Sequence, residues 1–109
     1  MYFKPAKGFF MLLQNQSQAE IAAFCDEVKE LLLEKNRKYG DSALNPVRIF
    51  SKASTVEQLY VRLDDKLSRI RNMQADDDED VILDAIGYLV LLKVAQRRQA
   101  AVEEGYFVA

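Results

Sequence analysis

The run Val81-Ile82-Leu83-Asp84-Ala85-Ile86-Gly87-Tyr88-Leu89-Val90-Leu91-Leu92 is the tightest constraint on what this chain can fold into. On a helical wheel it is apolar almost all round, and such a helix has to be covered on most of its faces. The whole chain, at 109 residues, is one domain's worth of sequence, and half of it is hydrophobic, so a core is within reach. A chain this short still leaves much of its surface in water, and long apolar helices often complete their burial by associating. Strand signals are absent apart from the first residues. The expectation is an all-α helical bundle that forms oligomers.

Capping chemistry predicts where the helices begin. Ser17-Gln18-Ala19-Glu20 reads as a capping box opening a helix to about Lys38, with Gly40 as the stop. Its inward stripe is Ile21, Phe24, Val28, Leu31 and Leu32. A loop from Tyr39 to Ala53 carries Gly40, Asp41, Asn45 and Pro46. Ser54-Thr55-Val56-Glu57 is a second box, opening a helix to about Met73 with Leu59, Leu63, Leu67 and Ile70 facing inward. The acidic run Asp76 to Asp80 suits the positive end of a helix dipole, so the third helix starts there and runs to about Glu103, closed by Gly105. Residues 1–16 form an N-terminal arm, either a strand or a segment lying on a partner, ahead of a helical core at 17–104. The apolar patch Phe9 to Leu13 is too short to span a membrane and lacks a signal-peptide cleavage site. The chain therefore reads as a single cytoplasmic domain, residues 1–109, with no membrane partner.

Three absences narrow the chemistry. There is no histidine, which rules out a His-dependent triad, an imidazole base and a His-containing zinc site. The single cysteine, Cys25, excludes an internal disulfide and fits a reducing compartment. A formal charge of −2 argues against a nucleic-acid partner, which calls for a basic stripe. Any metal has to be held by oxygen, which favours Mg²⁺, Mn²⁺ or Ca²⁺.

Asp84 stands in the middle of the apolar helix, where a carboxylate is costly unless it is paired or binds a metal. Asp76, Asp80 and Asp84 follow at four-residue spacing along one face and repel one another unless a cation sits among them. The plainer alternative for Asp76 to Asp80 is a set of solvated capping acids. Glu27, Glu30 and Glu34 fall within about 60° of one another on the first helix. Alone they would read as a solvated acidic face. Acids on two facing helices are how bundle cores build sites for two or more metal ions.

The middle helix offers the opposite sign. Arg62, Asp65, Arg69 and Asn72 recur at helical spacing with Lys66 beside them, and such basic groups suit a polyphosphate. The alternative is that they are surface residues or ion-pair partners of the acids; Asp65 is either a further acid at the site or the partner that holds Arg62 or Arg69. The loop 35–48, with Lys38, Tyr39, Asn45 and Arg48, is rich in donors for a base or phosphate. A Gly-rich phosphate loop followed by Lys-Ser/Thr is absent.

Three blocks stand in order along the chain: Lys35-Asn36-Arg37-Lys38-Tyr39-Gly40-Asp41-Ser42-Ala43-Leu44-Asn45-Pro46, then Arg62-Leu63-Asp64-Asp65-Lys66-Leu67-Ser68-Arg69, then Glu79-Asp80-Val81-Ile82-Leu83-Asp84-Ala85-Ile86-Gly87-Tyr88. Together they resemble the small MazG-like NTP pyrophosphohydrolases of phages and bacteria, similar to members of the MazZ type. The resemblance covers residues 17–98. It implies an all-α NTP pyrophosphatase fold, Mg²⁺ or Mn²⁺ dependence, and cleavage of a (d)NTP, dGTP or another purine in the MazZ type, to monophosphate and pyrophosphate. It also implies homodimers or homotetramers whose helices complete each other's sites. The family's Glu-x-x-Glu motif matches Glu27 and Glu30, with Glu34 as a further member. Its second motif, Glu-x-x-Asp, is met in part by Asp80 with Asp84 or by Asp77 with Asp80, and the first pair is favoured. The catalytic set is then Glu30, Glu34, Asp80 and Asp84, with Glu27 joining them at the metal. Substrate contacts carried over are Lys38, Tyr39, Asn45, Arg48, Arg62, Asp65, Lys66 and Arg69. Two other readings compete: a dUTP hydrolase on a related helical scaffold, and a non-catalytic oligomerisation or adaptor module in which Asp84 pairs with Arg62, Lys66 or Arg69.

Overall fold

Residues 15–73 and 80–105 are described in a computed structural model of the chain. They hold three α-helices and no strand, so the all-α class is met. Residues 1–14 of the N-terminal arm and residues 76–79 of the acidic run lie outside the described residues. Two compact units divide the chain, Met1–Lys38 and Tyr39–Ala109.

The first unit is dominated by α1, Gln16–Tyr39. Its cap is not Ser17, which lies inside the helix. Asn15 takes that role, its Oδ1 accepting from the Gln18 backbone N–H at 2.9 Å, while Ala19 N–H donates to Asn15 O at 3.2 Å. Asparagine is at least as good a cap as serine, and starting two residues earlier adds rungs to the ladder. The inward stripe is covered over only part of its length. Val28 is buried and Leu31 and Leu32 half-buried, but Ile21 and Phe24 are exposed, while Ala19 and Ala23 are buried instead. Helical period sets the direction in which side chains point, and says nothing of how far along the helix a cover extends. Past Tyr39 the chain turns through Gly40 and Asp41, both left-handed with φ of 64° and 62°. That conformation is open to glycine and accessible to aspartate, and it ends the helix where the sequence predicted.

The second unit is a helical hairpin. Ser54 caps α2, Thr55–Arg71, its hydroxyl accepting from Glu57 N–H at 3.1 Å. Asp80 caps α3, Val81–Glu103, its carboxylate accepting from Leu83 N–H at 2.9 Å. Gly105, at φ 82°, sits just past the end of α3. Gln96 Nε2 donates to the Tyr60 hydroxyl, Arg62 lies over the Tyr88 ring and Lys66 meets Asp84. Numbers rise along α2 as they fall along α3, so the two helices are antiparallel.

Between them lies a core of Leu59, Leu63, Leu92 and Ala95, joined by Val56, Tyr88, Leu91 and, from the loop, Leu44. Leu67 and Ile70, expected inside, are exposed. At the level of Leu67 the contact with α3 is given to Lys66 and Asp84, and Ile70 comes level with the very start of α3. Among the described residues, no helix is long and apolar enough to cross a membrane.

Candidate functional site

The loop ahead of α2 is closed by its own polar groups. Leu44 and Asn45 N–H both donate to Asp41 O, at 3.2 and 2.9 Å, and the Asn45 side-chain amide donates to the Asp41 carboxylate. Arg48 donates through Nη1 to Ala53 O and through Nη2 to Thr55 Oγ1 at 3.0 Å, so its guanidinium fastens the loop to the first turn of α2. Of the loop's predicted substrate contacts, Asn45 and Arg48 are thus engaged within the loop. Tyr39 is exposed, as is Lys38 at the end of the first unit.

Toward the other end of α2 the geometry changes character. Lys66 Nζ stands 3.5 Å from Asp84 Oδ2, with side chains only 14% and 23% exposed. One turn earlier on α2, the Arg62 guanidinium lies 5.9 Å from the centroid of the Tyr88 ring, within cation–π range. Tyr88 is one turn after Asp84, so the two contacts are neighbours on both helices. One turn later than Arg62, Asp65 accepts an ion pair from Arg69 Nε at 3.3 Å. That settles which arginine Asp65 holds. Sequence reasoning left Tyr88 out of the site; its spacing of four from Asp84, facing a cationic helix, was the available signal. Arg48 is not part of this group: Thr55, to which it is bonded, lies eleven residues from Lys66, about 16 Å along the helix.

The acids differ in what they already do. Asp84 shares Lys66, and Asp80 is exposed with one oxygen spent on the cap of α3. On α1, Arg37 Nη2 donates to both oxygens of Glu34 at 2.5 and 2.7 Å, and Lys29 lies 3.8 Å from Glu30. Glu27 is half-buried. Among the described residues, no three Asp, Glu or Cys side chains converge into one metal set. A cavity of about 390 Å³ opens between the start of α2 and the end of α3, lined by Glu57, Tyr60, Gln96, Gln99 and Glu103 among others. It holds two carboxylates and no cation, and a polyphosphate would be repelled there.

Comparison of the chain with protein-family models, with curated proteins and with solved structures gives no match.

Proposed function

We propose that this protein is a metal-dependent nucleoside-triphosphate pyrophosphohydrolase, cutting a (d)NTP between its α- and β-phosphates. The observation that carries the reading is Asp84: a half-buried carboxylate on an apolar helix, already facing one cation and lying one turn from the Arg62–Tyr88 stack. Its oxygen chemistry fits Mg²⁺ or Mn²⁺ in a chain without imidazole. In the hairpin the proposed ligands are Asp84 and the capping Asp80; in the first unit, taken by itself, they are Glu27, Glu30 and Glu34. A hard divalent ion supplies an activated water and screens the phosphate charge. Arg62, Lys66 and Arg69 offset charge on the departing pyrophosphate. The MazZ-like resemblance of the three sequence blocks supports a purine nucleotide such as dGTP, and a phage setting in the host cytoplasm. Exposed Ile82, Leu89 and Val90 on α3 support association into a homodimer or homotetramer.

The test is incubation of the purified protein with each canonical NTP and dNTP and with dUTP, under Mg²⁺, Mn²⁺ or EDTA, with products separated by chromatography. Metal-dependent monophosphate and pyrophosphate are expected. Orthophosphate instead would place the cut at the wrong anhydride, and turnover confined to dUTP would move the protein to the dUTP hydrolases.

One observation favours a second reading. The Lys66–Asp84 pair is what a non-catalytic helical module would use to hold two helices together. A folded chain that turns over no nucleotide under any of these conditions supports it.

A further inference from the structure

We propose that the cavity between the start of α2 and the end of α3 binds a linear aliphatic diamine or longer polyamine. The proposal is independent of the phosphate chemistry argued above. The cavity, about 390 Å³, is lined by Glu57 and Glu103 and by no cationic side chain. Neither carboxylate takes part in an ion pair among the described residues.

The two acids differ in how the fold accounts for them. Glu57 stands in the first turn of α2, at the positive end of the helix dipole, where a carboxylate is favourable. Glu103 has no such reason. It closes α3, Glu104 caps it, and the last turn holds no basic residue. Two acids therefore meet the negative end of the α3 dipole, where a cation is favoured instead. Glu103 Oε1 accepts from Gln99 Nε2 at 3.3 Å, a neutral contact that leaves the charge unmatched.

The rest of the lining selects the kind of cation. A hard metal ion calls for several converging oxygen ligands, and among the described residues no three Asp, Glu or Cys side chains converge. An ammonium group needs only hydrogen-bond acceptors and gains from an aromatic face. Tyr60 supplies the ring. Gln96 spends its Nε2 on the Tyr60 hydroxyl at 3.4 Å, so its carbonyl oxygen remains an acceptor. Val56 and Ala100 give hydrocarbon for methylenes to lie on. Two carboxylates, one from each helix, match two ammonium groups joined by an apolar stem.

The experiment titrates the full chain calorimetrically with putrescine, spermidine and butylamine at fixed ionic strength, and melts it with and without each. Putrescine and spermidine should bind and raise Tm, and butylamine, with a single charge, should bind about threefold more weakly than putrescine. Glu57→Gln and Glu103→Gln should each weaken putrescine binding about threefold, an ordinary value for an exposed ion pair. Without amine, Glu103→Gln should melt no lower than wild type, because it removes an acid from the negative end of α3, and yet gain less Tm on adding putrescine. Glu20→Gln, an exposed acid on α1, should bind putrescine as wild type does. Absence of binding by wild type overturns the proposal, as does undiminished binding by Glu103→Gln. An equal loss in Glu20→Gln, or butylamine as tight as putrescine, overturns it too, since counter-ions gathering anywhere on an acidic surface would behave that way.

Discussion

Lys66 and Asp84 meet across the hairpin at 3.5 Å, at a depth between that of a surface pair and a core pair. Exposed ion pairs contribute up to about 1 kcal/mol, and stripping one partner from a fully buried pair costs about 3–5 kcal/mol. At 14% and 23% exposure this pair belongs between those limits. It joins a helix whose first half is apolar nearly all round to another that carries Arg62, Lys66, Arg69 and Arg71.

Replacing Asp84 by Asn is expected to destabilise the chain by about 2 kcal/mol, because the Lys66 ammonium keeps its burial and loses the facing Asp84 charge. Urea unfolding measures that loss. Turnover should vanish in the same variant, and product chromatography checks it. A folded Asp84→Asn chain that hydrolyses nucleotide at the wild-type rate would remove Asp84 from the metal set.

Asp80 carries two separable duties. Asp80→Asn keeps a good N-cap for α3 and should stay within about 0.5 kcal/mol of wild type, whereas Asp80→Ala loses the bond to Leu83 N–H and about 1 kcal/mol. If Asp80 also binds metal, both variants lose Mn²⁺ affinity equally. Calorimetry that shows a loss only in the alanine variant would assign Asp80 to capping alone.

Leu59, 1% exposed, and Leu67, 57% exposed, stand two turns apart on α2. Leu59→Ala should cost about 3 kcal/mol, and Leu67→Ala under about 1 kcal/mol. Guanidinium denaturation of the isolated chain reads the contrast directly. Comparable losses at both sites would mean that Leu67 is covered in solution, as an oligomer interface would cover it.

Arg48 closes the loop ahead of α2 by bonding Ala53 O and Thr55 Oγ1, while Phe50 between them is 96% exposed. Arg48→Ala should leave global stability within about 1 kcal/mol, as expected for a surface hydrogen bond. Chymotrypsin should cut after Phe50 faster in that variant. Unchanged cleavage would show that the loop keeps its shape without the guanidinium. Unchanged nucleotide turnover in the same variant would also separate Arg48 from substrate.

Local chemistry was the legible part of this sequence. Ser54 with Glu57, the acid at Asp80 ahead of an apolar run, and Gly40 and Gly105 past helix ends all act through neighbours a few residues away, and each landed where it was read. The choice of Asn15 over Ser17 was a contest between two adequate caps, and pattern alone does not rank them. Burial was harder to read. Ile21, Phe24, Leu67 and Ile70 lie on faces with the right period, yet period carries no information on where a neighbouring helix starts or stops. Alanines were underread as well. Ala19, Ala23, Ala85 and Ala95 are buried, and a small side chain contributes little to an apolar stripe while marking places of close approach. At the candidate site, the isolation of Asp84 among apolar residues pointed to a partner, and Lys66 was among the three named for it. Tyr88 was missed because an aromatic on an apolar helix reads first as core.

A cylinder greased on nearly every side can roll against its neighbour at little cost, since one leucine facing the seam serves about as well as the next. On α3 the polar contacts take away that freedom. Asp84 beside Lys66, Tyr88 beneath Arg62 and Gln96 to Tyr60 follow one another along the hairpin, and each is met at only one rotation and one offset of the two helices. They work like the wards of a lock, indexing the hairpin to a single setting. The leucines hold the two helices shut, and the sparse polar pairs decide which closed arrangement it is.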